Sequence, residues 1–324
     1  MLLVTGGTGF IGSQLLECAP KPLRVLVRRK NAELPAGVEA AFGDLVTGEG
    51  VAEALRGVDT VIHLAGVTKA LRPADYYGGN ARATETLARA AAGAPSGPVN
   101  RFVHVSSLAA VGPSLDGAPL AEEAAPHPPS HYGKSKLEAE RIVRALLPQS
   151  VIVRPPVVYG PRDTGVFQIL KSIAGGWFLD ISGGDAQGAR WFSAIYVEDL
   201  VEGLLAAAAH PAAQGRDYFM AHPQPVSWRG LAETAAGIMG VRVRRVAVPG
   251  AVAYAVGACA DLGARATGRP GIVSRDKVTE ARYACWTCDP RRAAAELGFR
   301  ARTPLETGIA RTLAWYKEAG WLKY

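Results

Sequence analysis

Through the first half of the chain, short apolar, often β-branched runs alternate with longer stretches whose apolar positions recur at helical spacing. The apolar runs predict strands at residues 2–5, 23–27, 38–42, 60–64, 101–105 and 151–153. The helical pattern fills 11–18, 51–56, 74–92 and 132–146. Strands that are apolar almost throughout must be covered on both faces, so the alternation predicts an α/β fold with a doubly wound parallel sheet. Ligands of such sheets bind beyond the carboxyl ends of the strands. The residues that follow each strand are therefore where chemistry is expected.

After Arg154 the rhythm breaks at Pro155, Pro156, Gly160 and Pro161, and short strands then mix with helices in no βαβ order. This predicts a doubly wound domain over 1–154 and a smaller mixed α/β lobe over 155–324. The helix expected at 197–209 is read as returning to the first domain. Residues 109–129, rich in Pro, Gly and Ala, are expected to form a long loop beside the site. The uncharged stretch 246–260 is interrupted by Pro249 and falls short of the ~20 residues of a membrane span.

Chemistry enters at the first turn. Thr5-Gly6-Gly7-Thr8-Gly9-Phe10-Ile11-Gly12 follows the first predicted strand and opens a helix. Gly6 and Gly9 permit a tight turn and close backbone approach to a pyrophosphate, and Gly12 lets helix and strand pack closely. The helix N-terminus then presents free N–H groups to the anion. The second strand ends at Val27-Arg28-Arg29, where an acidic residue would hold a ribose 2′-hydroxyl. Forked guanidinium groups suit a 2′-phosphate, so Arg28 and Arg29 favour NADP(H), with NAD(H) as the alternative. Asp44, in Gly43-Asp44-Leu45 after the third strand, has two readings: acceptor for the adenine amino group, or cap of the following turn.

Tyr132 and Lys136 stand at i and i+4, one helical turn apart on one face. A free phenol ionises near ~10, too high to exchange protons well at neutral pH, and a close ammonium would lower that value. Ser106 and Ser107 end the fifth strand, where a hydroxyl could hold a carbonyl oxygen.

Taken in order, TGGTGFIG, Gly43-Asp44-Leu45, His63-Leu64-Ala65-Gly66, Asn80-Ala81-Arg82-Ala83-Thr84, Ser106-Ser107, YGKSK and Arg154-Pro155-Pro156-Val157-Val158-Tyr159-Gly160-Pro161 span nearly the whole chain. The sequence thus resembles the extended short-chain dehydrogenase/reductase family, whose first domain is a Rossmann fold. The resemblance implies Ser107 as the catalytic serine, Tyr132 as acid/base, and Lys136 on the nicotinamide ribose while tuning Tyr132. It implies a bracing role for Asn80. For the dinucleotide it implies contacts from Gly6, Gly9, Phe10, Ile11, Gly12, Arg28, Arg29, Asp44, Leu45, Leu64, Ala65, Gly66, Tyr132, Lys136, Pro155 and Val158. A homodimer pairing the helices at 81–92 and 132–146 across a two-fold axis is also implied.

Within that resemblance the substrate class divides. Sugar-nucleotide members carry an Asn where this chain has Val157, and dehydratases carry an acidic pair where Leu108 and Ala109 follow Ser107. The apolar helix expected at 249–266, with Gly250, Val252, Val256 and Leu262, and the stretches Trp286-Thr287-Cys288-Asp289 and Glu296-Leu297-Gly298-Phe299 are similar to the 3β-hydroxysteroid dehydrogenase and dihydroflavonol reductase branch. In that branch the helix shapes an apolar pocket or touches membrane; the plain reading is a buried core helix. Gly183-Gly184-Asp185-Ala186-Gln187 resembles sugar-active members instead. The expected function is hydride transfer between nicotinamide and a secondary alcohol or ketone of a largely apolar small molecule (hydroxysteroid-, isoprenoid- or flavonoid-like). A nucleotide-sugar 4-epimerase with tightly held NAD, and a non-catalytic dinucleotide sensor, are the alternatives.

Composition narrows the partners. The 324 residues are 48% hydrophobic and 20% charged, as in an ordinary globular protein. The net charge of +7 is clustered only at Arg28, Arg29, Lys30 and at Arg242, Arg244, Arg245, and no nucleic-acid reader motif accompanies it. No nucleic-acid partner is expected. The opening MLLVTGG contains no signal-peptide core, so a soluble cytoplasmic protein is expected, with peripheral membrane contact left open. Cys285 and Cys288 form a CxxC without a second pair at zinc spacing; they read as incidental thiols, and no metal is expected.

Overall fold

The computed structural model describes residues 1–324 except 30, 95, 96, 98, 181–189, 272 and 273. The apolar runs of the first half become β1 (Leu2–Thr5), β2 (Leu23–Val27), β3 (Val38–Phe42), β4 (Thr60–His63), β5 (Arg101–Val105) and β6 (Val151–Arg154). Between them lie α1 (Phe10–Cys18), α2 (Val51–Ala54), α3 (Pro73–Tyr77), α4 (Ala83–Ala92) and α5 (His131–Leu146). The second half contributes β7 (Val157–Tyr159), α6 (Gly165–Ala174), β8 (Trp177–Asp180), β9 (Trp191–Phe192), β10 (Ala194–Tyr196), α7 (Val197–Ala209) and β11 (Asp217–Phe219). It continues with β12 (Val226–Ser227), α8 (Trp228–Met239), β13 (Arg244–Ala247), α9 (Gly250–Thr267) and α10 (Arg275–Ala281). Last come β14 (Cys285–Trp286), α11 (Arg291–Leu297) and α12 (Leu305–Glu318).

Seven strands form one parallel sheet in the order β11-β6-β5-β4-β1-β2-β3. Successive residues of a strand point to opposite faces, and here both faces are apolar. Leu2, Val4, Val25, Ile62, Val103 and Val153 pack on one side against Leu15 and Leu16 of α1 and Leu200, Val201 and Leu204 of α7. Leu3, Leu26, Val61 and Phe102 pack on the other against Leu55, Leu87, Ala88 and Val143. The chain's return from the second half is not confined to α7. Strand β11 extends the sheet beside β6, and Ala293 and Leu297 of α11 join the same core. A separate cluster holds the second lobe around Leu170, Phe192, Leu231, Leu313 and Tyr316.

Strand order reverses between β1 and β4: β2 and β4 pair with β1 on either side, both in parallel. That switch point opens a crevice at the carboxyl ends, where the glycine turn follows Thr5. The continuous helix expected over 74–92 is interrupted by a π-helical turn, Gly78–Arg82. Such a wider turn aims one side chain away from the regular helical stripe. Here Asn80 is the residue it turns inward, to 1% exposure.

The helix expected in the apolar stretch forms as α9, but it is not a buried core helix. Only Ala253 and Gly257 are buried, against α10, whereas Val252, Val256 and Leu262 are 51%, 53% and 65% exposed. Gly257 allows that close approach, since a Cβ there would press on the Ser274–Arg275 backbone. The Gly183–Gln187 stretch singled out from the sequence lies outside the described residues.

Candidate active site

The glycine turn is built as its spacing requires. Gly6 takes a φ of 71°, and a Cβ there would stand 2.7 Å from the Ala65 nitrogen. A Cβ on Gly12 would overlap the Gly6 carbonyl oxygen. Gly9 begins α1 without any side-chain cap, and its own N–H donates to the Gly6 carbonyl at 3.0 Å. The first N–H groups of the helix thus have no side-chain acceptor of their own. The turn lines a cleft of about 1110 Å³ with Phe10, Arg28, Arg29 and Arg162 among its walls. Arg28 and Arg29 are exposed at the end of β2. A pyrophosphate fits this arrangement on two grounds: side chains would fill the space that glycines leave, and the free helix end lies beside cations.

Around that turn, other expected contacts divide by position. Leu64, Ala65 and Gly66 follow β4 and adjoin the turn, with the Leu64 and Ala65 N–H groups donating to the Thr5 carbonyl and hydroxyl at 3.1 and 3.2 Å. Asp44 accepts from the Val46 N–H at 2.7 Å, which is the turn-capping reading; its other oxygen has no protein partner among the described residues. Leu45 is buried among Val51 and Leu55 and lends its side chain to the core. Ile11 and Val158 are partly buried against the core under the sheet, and the Pro155 carbonyl accepts from the Leu108 N–H at 2.9 Å.

Helix α5 starts at a serine cap, the Ser130 hydroxyl accepting from the Gly133 N–H at 3.0 Å. Gly133 is required there, because a Cβ would overlap the Ala109 carbonyl. The helix consequently lies tight against the segment after β5, and brings the Tyr132 phenol close enough to the Ser107 hydroxyl for Ser107 to favour its ionised form; that hydroxyl also accepts from the Ala109 N–H at 3.1 Å. The Ser106 hydroxyl is buried and has no hydrogen-bond partner among the described residues. Of the two serines, then, Ser107 faces the tyrosine. Asn80 is fully engaged: it accepts from the Val67 N–H at 2.7 Å and donates to the Val67 carbonyl and the Ser135 hydroxyl at 3.0 and 2.8 Å. It ties the loop after β4 to the helix that carries Tyr132.

Electrostatics at the pair differ from the sequence expectation. Burial raises the Tyr132 phenol above its ordinary value; the Lys277 charge and the nearby Ser107 hydroxyl lower it, and Glu280 raises it. Lys136, expected to tune the phenol, instead donates from Nζ to the Val105 carbonyl at 2.8 Å. Burial pulls its ammonium down to about 8, against the opposing pull of Glu140. Desolvation disfavours charge on both groups: it keeps the phenol protonated, and it weakens the Lys136 ammonium while leaving it charged at neutral pH.

Sequence reasoning missed three features of the site. Lys277 of α10 stands over the Tyr132 ring, 4.7 Å from its centroid; it lies 145 positions downstream in a stretch without a motif, so only the fold reveals it. His63 bridges Thr5 and Thr84 at 2.6 and 2.9 Å. Arg154 holds Glu140 and Asp217 beneath the site. The CxxC is structural: Ser114 and Leu120 of the long loop form bridges to Cys285 and Cys288, and the four cysteines are free. Among the described residues no group of His, Cys, Asp or Glu could hold a metal, and no helix is long and apolar enough to cross a membrane.

A family model described as the NAD dependent epimerase/dehydratase family matches residues 2–221. The chain belongs to that family. Among its family relatives is a ceramide reductase of Caulobacter vibrioides, 31% identical over 99% of this chain and 96% of that one. Another is an N-acetyl-alpha-D-glucosaminyl-diphospho-ditrans,octacis-undecaprenol 4-epimerase of Escherichia coli O157:H7, 27% identical over 96% and 94%. Among solved structures, MoeE5 in complex with UDP-glucuronic acid and NAD superposes with a TM-score of 0.77, at 26% identity, covering 98% of this chain and 99% of that one. As an epimerase/dehydratase-family member with reductases and epimerases among its relatives, the chain is an enzyme of the short-chain dehydrogenase/reductase type.

Proposed function

We propose that this enzyme uses NADPH to reduce a ketone on a largely apolar skeleton to a secondary alcohol. The observation that carries the reading is the Ser107–Tyr132 hydroxyl pair at the carboxyl edge of the sheet, with the phenol held protonated by burial. A bound reduced nicotinamide supplies the hydride. Ser107 and Tyr132 receive the carbonyl oxygen between them, and Tyr132 gives it a proton as general acid, a contribution of typically about 10²–10⁴ in rate. Asn80 fixes the register of α5 against the loop after β4, and Lys136 anchors the end of β5 where the nicotinamide ribose would lie.

The apolar substrate is supported by Val157 in place of a polar residue, by Leu108 and Ala109 after Ser107, and by the similarity to a ceramide reductase. NADP(H) rather than NAD(H) is supported by Arg28 and Arg29 at the mouth of the phosphate cleft. A substrate drawn from membrane would also account for α9. Its exposed stripe Val252, Val256, Cys259 and Leu262 is apolar, and α10, on which it packs, abuts Tyr132. Residues 241–271 hold five arginines and one aspartate, so the surface offered is basic and matches an anionic bilayer. The implied homodimer is kept in this reading with one qualification from its surface. The outward stripe of α5 is Lys134, Glu138 and Arg141, so pairing there would weaken as salt screens it.

The epimerase reading is supported by the undecaprenol-linked relative. Purified protein is mixed with NADPH and long-chain or polycyclic ketones, and separately with UDP-sugars, while the absorbance of reduced nicotinamide is followed. Consumption with the ketones, absent in Tyr132→Phe, supports the reductase. Sugar interconversion without net cofactor consumption overturns it in favour of the epimerase.

A further inference from the structure

Helix α10 is held against the start of α5 by three of its side chains, Asp276, Lys277 and Glu280. The Asp276 carboxylate accepts from the backbone N–H groups of His131 and Tyr132 at 2.7 and 3.1 Å, capping the positive end of the helix. The Glu280 carboxylate accepts from the Ser130 hydroxyl at 2.6 Å and from Lys277 Nζ at 2.9 Å. Between them Lys277 extends over the face of the Tyr132 ring. The far end of α10 is secured in turn, with the Trp286 indole N–H donating to the Glu280 carbonyl at 3.0 Å.

We propose that Lys277 is the positioning cation of the active-site tyrosine, stabilising the phenolate that Tyr132 becomes on giving up its proton. The inference rests on the reading of Tyr132 as proton donor. A cation above a neutral phenol gains only from the ring quadrupole, worth about 0.5–2 kcal/mol. Above a phenolate, whose charge is shared with the ring, the attraction is between full charges and is larger. The difference lowers the energy of the ionised form selectively, which is what a general acid requires. When the phenol O–H breaks, the proton passes to the substrate oxygen as hydride reaches its carbon, and the negative charge left on Tyr132 meets the ammonium of Lys277.

The other groups facing the ring are Ser107, Tyr76 of α3 at 6.1 Å between centroids, Asp276, and Glu280, whose charge opposes that of Lys277. Lys136, on the same helix as Tyr132, is neutral above about 8. Burial weakens the Lys277 ammonium, but Glu280 and Tyr132 outweigh it and hold that group above its usual range. Lys277 is therefore still charged where a buried phenol ionises, and Lys136 is not.

The test is a spectrophotometric titration of tyrosinate in the protein without ligand. Subtracting the Tyr132→Phe curve isolates the Tyr132 component. Lys277→Met is expected to move that component to higher pH by about one unit, a tenfold change in the phenolate-to-phenol ratio, and Lys277→Arg to restore it. Glu280→Gln is expected to move it to lower pH. A loosened α10 would shift both variants the same way, so opposite signs separate charge from packing. An unmoved component in a folded Lys277→Met protein, or shifts of one sign, overturns the proposal. Full turnover in Tyr132→Phe would instead overturn the proton-donor reading, leaving the titration result intact.

Discussion

Arg154 grips Glu140 through two parallel hydrogen bonds, Nε to Oε1 at 3.0 Å and Nη2 to Oε2 at 2.8 Å, with both side chains buried. The pair joins β6 to the middle of α5. A third contact carries Arg154 Nη2 to Asp217 of β11 at 2.9 Å, and Nη1 donates to the Glu122 carbonyl in the long loop at 3.2 Å. One guanidinium thus links four segments that lie beneath the Ser107–Tyr132 pair. Arg154→Met leaves the Glu140 carboxylate buried and unpaired, and breaking a buried pair from one side costs about 3–5 kcal/mol. We expect chemical denaturation to show a loss of that size. Adding Glu140→Gln to Arg154→Met is expected to recover part of it, because the uncompensated charge is gone. Equal stability of the single and double variants would assign the loss to the packing of Arg154 rather than to an uncompensated charge.

The cofactor preference is set, on this reading, by two exposed cations. Arg28→Ala and Arg29→Ala should each raise the KM for NADPH while changing that for NADH little. A hydrogen bond to a charged group contributes about 1.5–3 kcal/mol, or roughly 10–100-fold in affinity. Steady-state kinetics with the two cofactors read the ratio directly. A wild-type protein that already prefers NADH would return the assignment to NAD(H) and leave both arginines as surface charges.

Much of this was legible beforehand. Six of the seven strands of the parallel sheet follow from apolar runs in the first half, whereas β11, three residues long and far downstream, carries no such signal; Gly6 and Gly12 occupy the positions where their spacing says a Cβ cannot stand. What the sequence could not supply was long-range partnership. Lys277 and Tyr132 are joined only by tertiary packing, and no local pattern encodes that. The exposed stripe of α9 was hidden for a different reason: periodicity reports that a helix is apolar, not which apolar face is covered, and α10 covers only Ala253 and Gly257. The break at Gly78–Arg82 escaped because a π-helical turn shares composition with the helices on either side.

His63 gives the fold an acid limit. Burial, with the Lys136 charge adding to it, lowers the imidazole from 6.5 to about 3. Its neighbour His104, 5.3 Å away between ring centroids, is held well below its usual value for the same first reason. The folded protein keeps His63 neutral down to about 3, whereas the unfolded chain takes up its proton near 6.5. Within that window the unfolded state binds more protons, so stability falls as pH falls. Denaturant melts stepped from about pH 7 to about pH 4 should show this decline. In His63→Asn, which is less stable at neutral pH for lack of one threonine hydrogen bond, the decline should be shallower. An unchanged slope would assign the acid sensitivity elsewhere.

The basic, apolar surface of α9 makes a prediction about lipid. With Val252, Val256 and Leu262 exposed and Arg265 and Arg269 at the helix end, the protein should sediment with vesicles containing phosphatidylserine and much less with phosphatidylcholine alone. Each arginine near an anionic surface contributes about 1 kcal/mol. Arg265→Gln with Arg269→Gln should therefore weaken binding roughly 30-fold at low salt, since every 1.4 kcal/mol is a factor of ten. Leu262→Asp should weaken binding to both lipids, because it removes apolar contact rather than charge. Neither substitution touches the Ser107–Tyr132 pair, so activity on a water-soluble ketone should persist while activity on vesicle-embedded substrate falls. If the protein ignores vesicles of either composition, the exposed stripe is covered by something other than lipid, and a second copy of the chain, visible by sedimentation, is the outcome to look for.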